Sequence, residues 1–147
     1  MSRVCRVVLA AILFIALLPA QQTETTQKVT PYADIPAEAA KHVNPVKPTP
    51  ESLARARKWW KLDCAMCHGT DGDGKGDVTA SMKLTVADFT NPATLQERTD
   101  GQIFYIIKNG YQDMPPEGDR IKPEEGWDLV NYVRSLAKPK RDAEPKP

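Results

Sequence analysis

Cys64-Ala65-Met66-Cys67-His68, followed at once by Gly69, holds the residues of this 147-residue chain best suited to do chemistry. Two thiols three positions apart can each add across one vinyl group of a haem. The histidine beside the second thiol is then carried under the iron as an axial ligand. A zinc site would need a second ligand pair, and the remaining Cys and His are only Cys5 and His42. A redox dithiol would sit in a βαβ surround, and no such pattern is legible here. The spacing points to covalent attachment of one haem c through Cys64 and Cys67, with His68 on the iron.

The start of the chain agrees with that chemistry. Arg3 and Arg6 precede an apolar run from Val7 to Leu18, then Pro19-Ala20, which is the pattern of a secretory signal peptide over residues 1–20. A helix of that run would rise about 18 Å, short of the ~30 Å hydrocarbon core. Export to the periplasm is expected, with membrane association only through a partner or an uncleaved signal. Cleavage after Ala20 removes Cys5 and takes Lys plus Arg from 20 to 18 against 19 Asp plus Glu, a net charge of −1. Nothing in that balance suits nucleic acid, which calls for a strongly basic domain.

The elements that must position the motif follow in order. Residues 21–48 are polar and carry Pro31, Pro36, Pro45 and Pro48, an extended lead-in with one short helical turn around Ala37–Lys41. It is either a tether or a strap on the domain, and His42 within it reads as a surface residue. Thr49-Pro50-Glu51 starts a helix, with Leu53, Ala56 and Trp60 on one face, running to about Leu62 and delivering Cys64.

The glycine-rich stretch from Gly69 to Asp77 superficially matches a phosphate loop and a calcium loop. Gly76 stands where the first needs Ser or Thr, and Lys75 and Met82 stand where the second needs oxygen ligands. A tight turn past the haem is the reading retained. Met82, Leu84, Val86 and Phe89 are expected to face the core, with a turn at Asn91-Pro92.

Thr99 and Gln102 form a capping box for a short helix that ends at Asn109-Gly110. A loop with Met114-Pro115-Pro116 leads to the last helix from Pro123, whose stripe is Leu129, Val130, Val133, Leu136 and Ala137. Residues 139–147 read as a charged disordered tail. The expected core is thus a small all-α domain over 49–138, too small to be comfortable without the apolar bulk of a haem.

Together these pieces resemble a class I, single-haem cytochrome c over about Thr49 to Ala137. The resemblance is carried by the CxxCHG motif, Met114-Pro115, and the run from Trp127 to Leu136. It implies a helical fold wrapped around one haem, first and last helices crossing with Trp60 and Tyr132 as the aromatic pair, thioethers on Cys64 and Cys67, and iron ligation by His68 and Met114. Two departures stand out. Ala56 replaces the usual glycine before the first-helix aromatic. No proline follows His68 until Pro92, so the carbonyl that commonly accepts from the ligand histidine needs a substitute.

For the sixth ligand the residues themselves leave alternatives. Met1 leaves with the signal and Met66 sits on the His68 side, so Met82, Met114 or an open site remain. The functional expectation is a one-electron carrier, not an enzyme, with transient docking to redox partners; Lys61, Lys75, Lys83 and Lys108 are candidates for the docking rim. The alternatives are a haem-bearing subunit docked on a larger oxidoreductase, or an open-site sensor or enzyme.

Overall fold

The computed structural model describes residues 34–137, and the expected signal peptide, residues 21–33 of the lead-in and the charged tail lie outside them. Among the described residues every regular element is helical, with a single isolated bridge between Tyr111 and Met114. No helix among them is long and apolar enough to cross a membrane.

Helix α1, Pro50–Trp59, starts where Thr49 caps it: the Thr49 hydroxyl accepts from Ser52 N and the Ser52 hydroxyl accepts from Thr49 N. The helical path does not stop near Leu62. A π-turn at Trp60–Cys64 carries it into α2, Ala65–His68, so one helical run holds the crossing residues and the motif. A π-turn widens the helix by one residue and re-aims everything after it.

Helix α3, Asp77–Met82, forms where the sequence showed only apolar spacing. It ends at Lys83 in the left-handed region, at φ +54°. Met82 therefore does not face the core as expected; it is 64% exposed, while Leu84 and Val86 are half-buried and Phe89 is buried. The Asn91-Pro92 turn is a 3-10 turn, Pro92–Leu95, capped by the Asn91 side chain accepting from Ala93 N.

Helix α4, Asp100–Asn109, carries the Thr99–Gln102 capping box, and Gly110 closes it at φ +78°. Helix α5, Pro123–Leu136, opens with Glu125 accepting from Lys122 N.

The core sits where α1 crosses α5. Ala56, Trp60, Leu129, Val130, Tyr132 and Val133 are buried there with Phe89, Leu95, Ile103, Ile107 and Trp127. Ala56 is fully buried, so alanine at this position still allows the close approach. Trp60 and Tyr132 meet with centroids 5.4 Å apart, and Phe104 stacks on Trp127 at 4.0 Å. Arg55 on α1 ties the same crossing to Asp128 on α5 at 2.9 Å.

The described part of the lead-in is a strap. Its 3-10 turn, Ala37–Lys41, packs on α4, with Ile35 and Ala39 buried. The Asn44 amide donates to the Trp127 carbonyl and the Asn131 side chain, and Asn131 donates back to the Val46 carbonyl at 2.9 Å. His42 is exposed.

Candidate haem site

The π-turn and helix α2 deliver Cys64, Cys67 and His68 to one cleft of about 210 Å³. Its other walls are Leu84, Val86 and Ala87 from the stretch after α3, Arg98, Ile106 of α4, and residues 111–115 with Glu117. The two thiols are not joined in a disulfide, and both line this cleft with Met114. Among the described residues no group of three or more His, Cys, Asp and Glu side chains could hold a metal ion, which leaves no zinc cluster there.

Backbone bonds make the loop after His68 a rigid wall. Gly74 N donates to the His68 carbonyl at 2.8 Å, Gly76 N to the Cys67 carbonyl at 3.1 Å, and the Thr79 hydroxyl to the same carbonyl at 2.7 Å. Gly69, Gly72 and Gly74 all have positive φ, which explains the glycines better than any phosphate or calcium loop. At Gly76 an added Cβ would lie 2.2 Å from the Met66 carbonyl oxygen, so α3 rests directly on the attachment turn.

The His68 ring is enclosed by aromatics. It stacks on Phe89 with centroids 5.0 Å apart and an interplanar angle of 22°, and Trp60 lies 5.6 Å away. Burial pulls its basicity down, to a pKa of about 4, so the imidazole is neutral, the form that binds a metal. Burial, then the nearby Glu117 and Asp63 carboxylates, pushes the Cys64 thiol up to about 12.

Met114 is held by its backbone as well as by the prolines after it. Tyr111 N donates to the Met114 carbonyl at 3.0 Å and Met114 N to the Tyr111 carbonyl at 2.9 Å, across Gln112 at φ +53°. The loop beyond is pinned by Glu117 N to Ile107 O and Gly118 N to Lys108 O. Met82 is not among the residues that line the cleft.

Charged residues that line the cleft, Asp63, Arg98 and Glu117 among them, were not singled out by the sequence. Asp63 pairs with Arg120 at 2.7 Å, and Arg120 pairs with the buried Glu117 at 3.1 Å. Arg98 is half-buried in the cleft wall. Their spacing in sequence gives no signal; only the fold gathers them. A haem fits these residues: two thiols, a neutral imidazole and a thioether share an apolar slot, with a cation in its wall for propionates.

Residues 51–133 match the family described as cytochrome C oxidase, cbb3-type, subunit III. The chain belongs to this family of cytochrome c domains. It is 32% identical over 87 residues to the cytochrome bc1 complex cytochrome c subunit of Corynebacterium diphtheriae, an alignment covering 58% of this chain and 28% of that protein. The chain therefore spans under a third of the length of that curated relative.

Among solved structures, a chain of the Kuenenia stuttgartiensis reducing HAO-like protein complex matches with a TM-score of 0.57 and 25% identity, over 64% of this chain and 47% of that one. The KustC0563 c-type cytochrome matches with a TM-score of 0.50 and 27% identity, over 56% of this chain and 98% of that one. The all-α cytochrome c fold expected from the sequence is the fold of this domain. Covalently bound haem c is the cofactor that membership of the family brings, and electron transfer is the chemistry of this cytochrome domain.

Proposed function

We propose that the chain is an exported single-haem electron carrier with Cys64 and Cys67 as thioether donors and His68 and Met114 as axial ligands. The observation that carries the reading is the convergence of these four side chains on one apolar cleft. Haem iron supplies a one-electron couple when bound. The protein's part would be to hold the ring through Cys64 and Cys67, ligate the iron through His68 and Met114, and keep water from the metal.

His68 brings a neutral nitrogen donor, and Met114 a soft sulfur that favours the ferrous state. Arg98 is the cation suited to a propionate. With His68 and Met114 both on the iron, no site would be open to a substrate, and in this reading the chain is a carrier and not an enzyme. Lys61, Lys75, Lys83 and Lys108 are all exposed and are candidates to steer a partner. Electron-transfer rates should then fall as ionic strength rises.

A second reading has support in two relatives, each named as part of a complex: a bc1 complex subunit and a chain of an HAO-like complex. In that reading the domain works docked on a larger oxidoreductase, and the periplasm is still the compartment. Affinity capture from the native host with the full-length chain separates the two. A stoichiometric oxidoreductase favours the subunit, and recovery alone favours the free carrier.

The central test is the intact mass of the native-host protein with its absorption spectrum. One haem that survives acid-acetone extraction, on a chain beginning near Gln21, is the expected result. A haem-free or zinc-bearing chain overturns the site, and an intact Met1 overturns signal cleavage.

A further inference from the structure

Metal-bound histidines almost always donate their second ring N–H to a carboxylate, a carbonyl or water, which fixes the ring and raises its basicity. In this chain the His68 Nδ1 is buried and has no hydrogen-bond partner. The imidazole is instead packed against two rings. Phe89 lies parallel to it at 5.0 Å and 22°, and Trp60 leans on it at 5.6 Å and 40°. Those rings also meet each other edge to face at 6.3 Å.

Each ring is anchored independently of His68. The Trp60 indole donates to the Gly69 carbonyl at 3.1 Å and packs on Tyr132. The Phe89 backbone N–H donates to the Gly72 carbonyl at 2.7 Å, which ties its ring to the loop that leaves the motif. Phe89 is 8% exposed, so its ring has little room to turn away.

We propose that Phe89 is the positioning residue for the His68 imidazole, orienting it by ring stacking where other such sites use a hydrogen-bond acceptor. This rests on His68 being an iron ligand. A ring held by its faces is fixed in plane but gains no anionic character at Nδ1. It therefore donates less charge to the metal, which favours the ferrous state. The missing proline after His68 leaves no gap in the design, because the aromatic clamp does the orienting.

The test uses the haem-loaded full chain, with Phe89→Leu to remove the ring while keeping apolar bulk, and Phe89→Tyr to restore it. In ferric protein the expected result is that Phe89→Leu shifts and broadens the low-spin electron paramagnetic resonance signal. It should also move the hyperfine-shifted proton resonances of the His68 ring, and Phe89→Tyr should return both. A Leu variant that is less stable but keeps both signatures overturns the proposal. So does a wild-type ferrous protein whose His68 Nδ1–H shows through-bond coupling to a backbone carbonyl, a measurement needing no variant. If His68→Ala keeps the wild-type low-spin signal, it is the ligand assignment that falls.

Discussion

The indole N–H of Trp60 donates to the carbonyl oxygen of Gly69 at 3.1 Å, so the residue that anchors the α1–α5 crossing also fixes the chain as it leaves His68. Helix packing and site geometry thus share one side chain. Trp60→Phe keeps an aromatic in the core but leaves a buried carbonyl without its donor, a loss of about 1–3 kcal/mol. Denaturant unfolding of the haem-loaded protein should show this drop, with a shifted ferric spectrum. An unchanged midpoint would mean that the bond contributes nothing.

Met114→Ala and Met82→Ala should differ in kind. The first should abolish the thioether-to-iron charge-transfer band, lower the potential and admit carbon monoxide to the ferrous iron. The second removes a side chain that is 64% exposed and should leave all three unchanged. Ready carbon monoxide binding by the wild type would point instead to an open-site sensor or enzyme.

Arg55 and Asp128 should be unequal partners. Asp128 is fully buried while the Arg55 side chain is 45% exposed, so only the arginine has water to retreat to. Arg55→Ala strands a carboxylate whose Oδ1 already has no partner, whereas Asp128→Asn frees a cation that solvent accepts. The denaturation midpoint should therefore fall further in the arginine variant, and the reverse order would refute the asymmetry.

Glu117 should impose a pH dependence. Burial raises its pKa above the ordinary 4.5, with Arg120 opposing and Asp63 adding to the rise. The folded state therefore holds the proton more tightly than the unfolded chain. That stabilisation is complete below 4.5 and is lost as pH rises through the folded value. Relative to Glu117→Gln, the wild type should lose stability between acid and neutral pH, as urea melts at the two ends would record. A constant difference would show that the shift is absent.

Gly101→Ala tests the strap. A Cβ there would lie 2.0 Å from the Ala39 carbonyl oxygen and 2.8 Å from that of His42, both backbone atoms. Overpacking of this kind costs about 1–3 kcal/mol. The strap should yield before α4 does, so limited proteolysis should cut near residues 37–44 in the variant and spare the wild type. Equal resistance would mean that the strap accommodates the methyl.

What was legible in the sequence follows from how local each signal is. Thr49, Thr99 with Gln102, Gly110 and Pro123 mark helix ends through bonds within a few residues, and those ends stand where expected. The attachment motif is equally local, and the cleft gathers Cys64, Cys67, His68 and Met114. The π-turn was illegible because Lys61-Leu62-Asp63 carries no punctuating residue; packing on both sides sets it. Met82 was misread because apolar spacing does not reveal that Lys83 turns left-handed and leaves α3 on the surface. The strap's bonds from Asn44 reach Trp127 and Asn131 far along the chain, and composition says nothing of that. The Phe89 clamp is of the same nonlocal kind.

The π-turn at Trp60–Cys64 makes this domain sensitive to length as well as to side-chain identity. Each residue in an α-helix advances the chain by about 100°. Winding this turn as ordinary α-helix with every residue kept would swing both thiols and the imidazole by about that angle relative to Ala56 and the α5 crossing. Every side chain needed at the cleft would be present in that unwidened helix, yet the cleft would lose its donors. Deleting one residue between Trp60 and Cys64 would instead let the ladder close and nearly hold the bearing of the thiols and the imidazole. The reading frame of the helix, counted from the crossing to the first thiol, is itself inherited information.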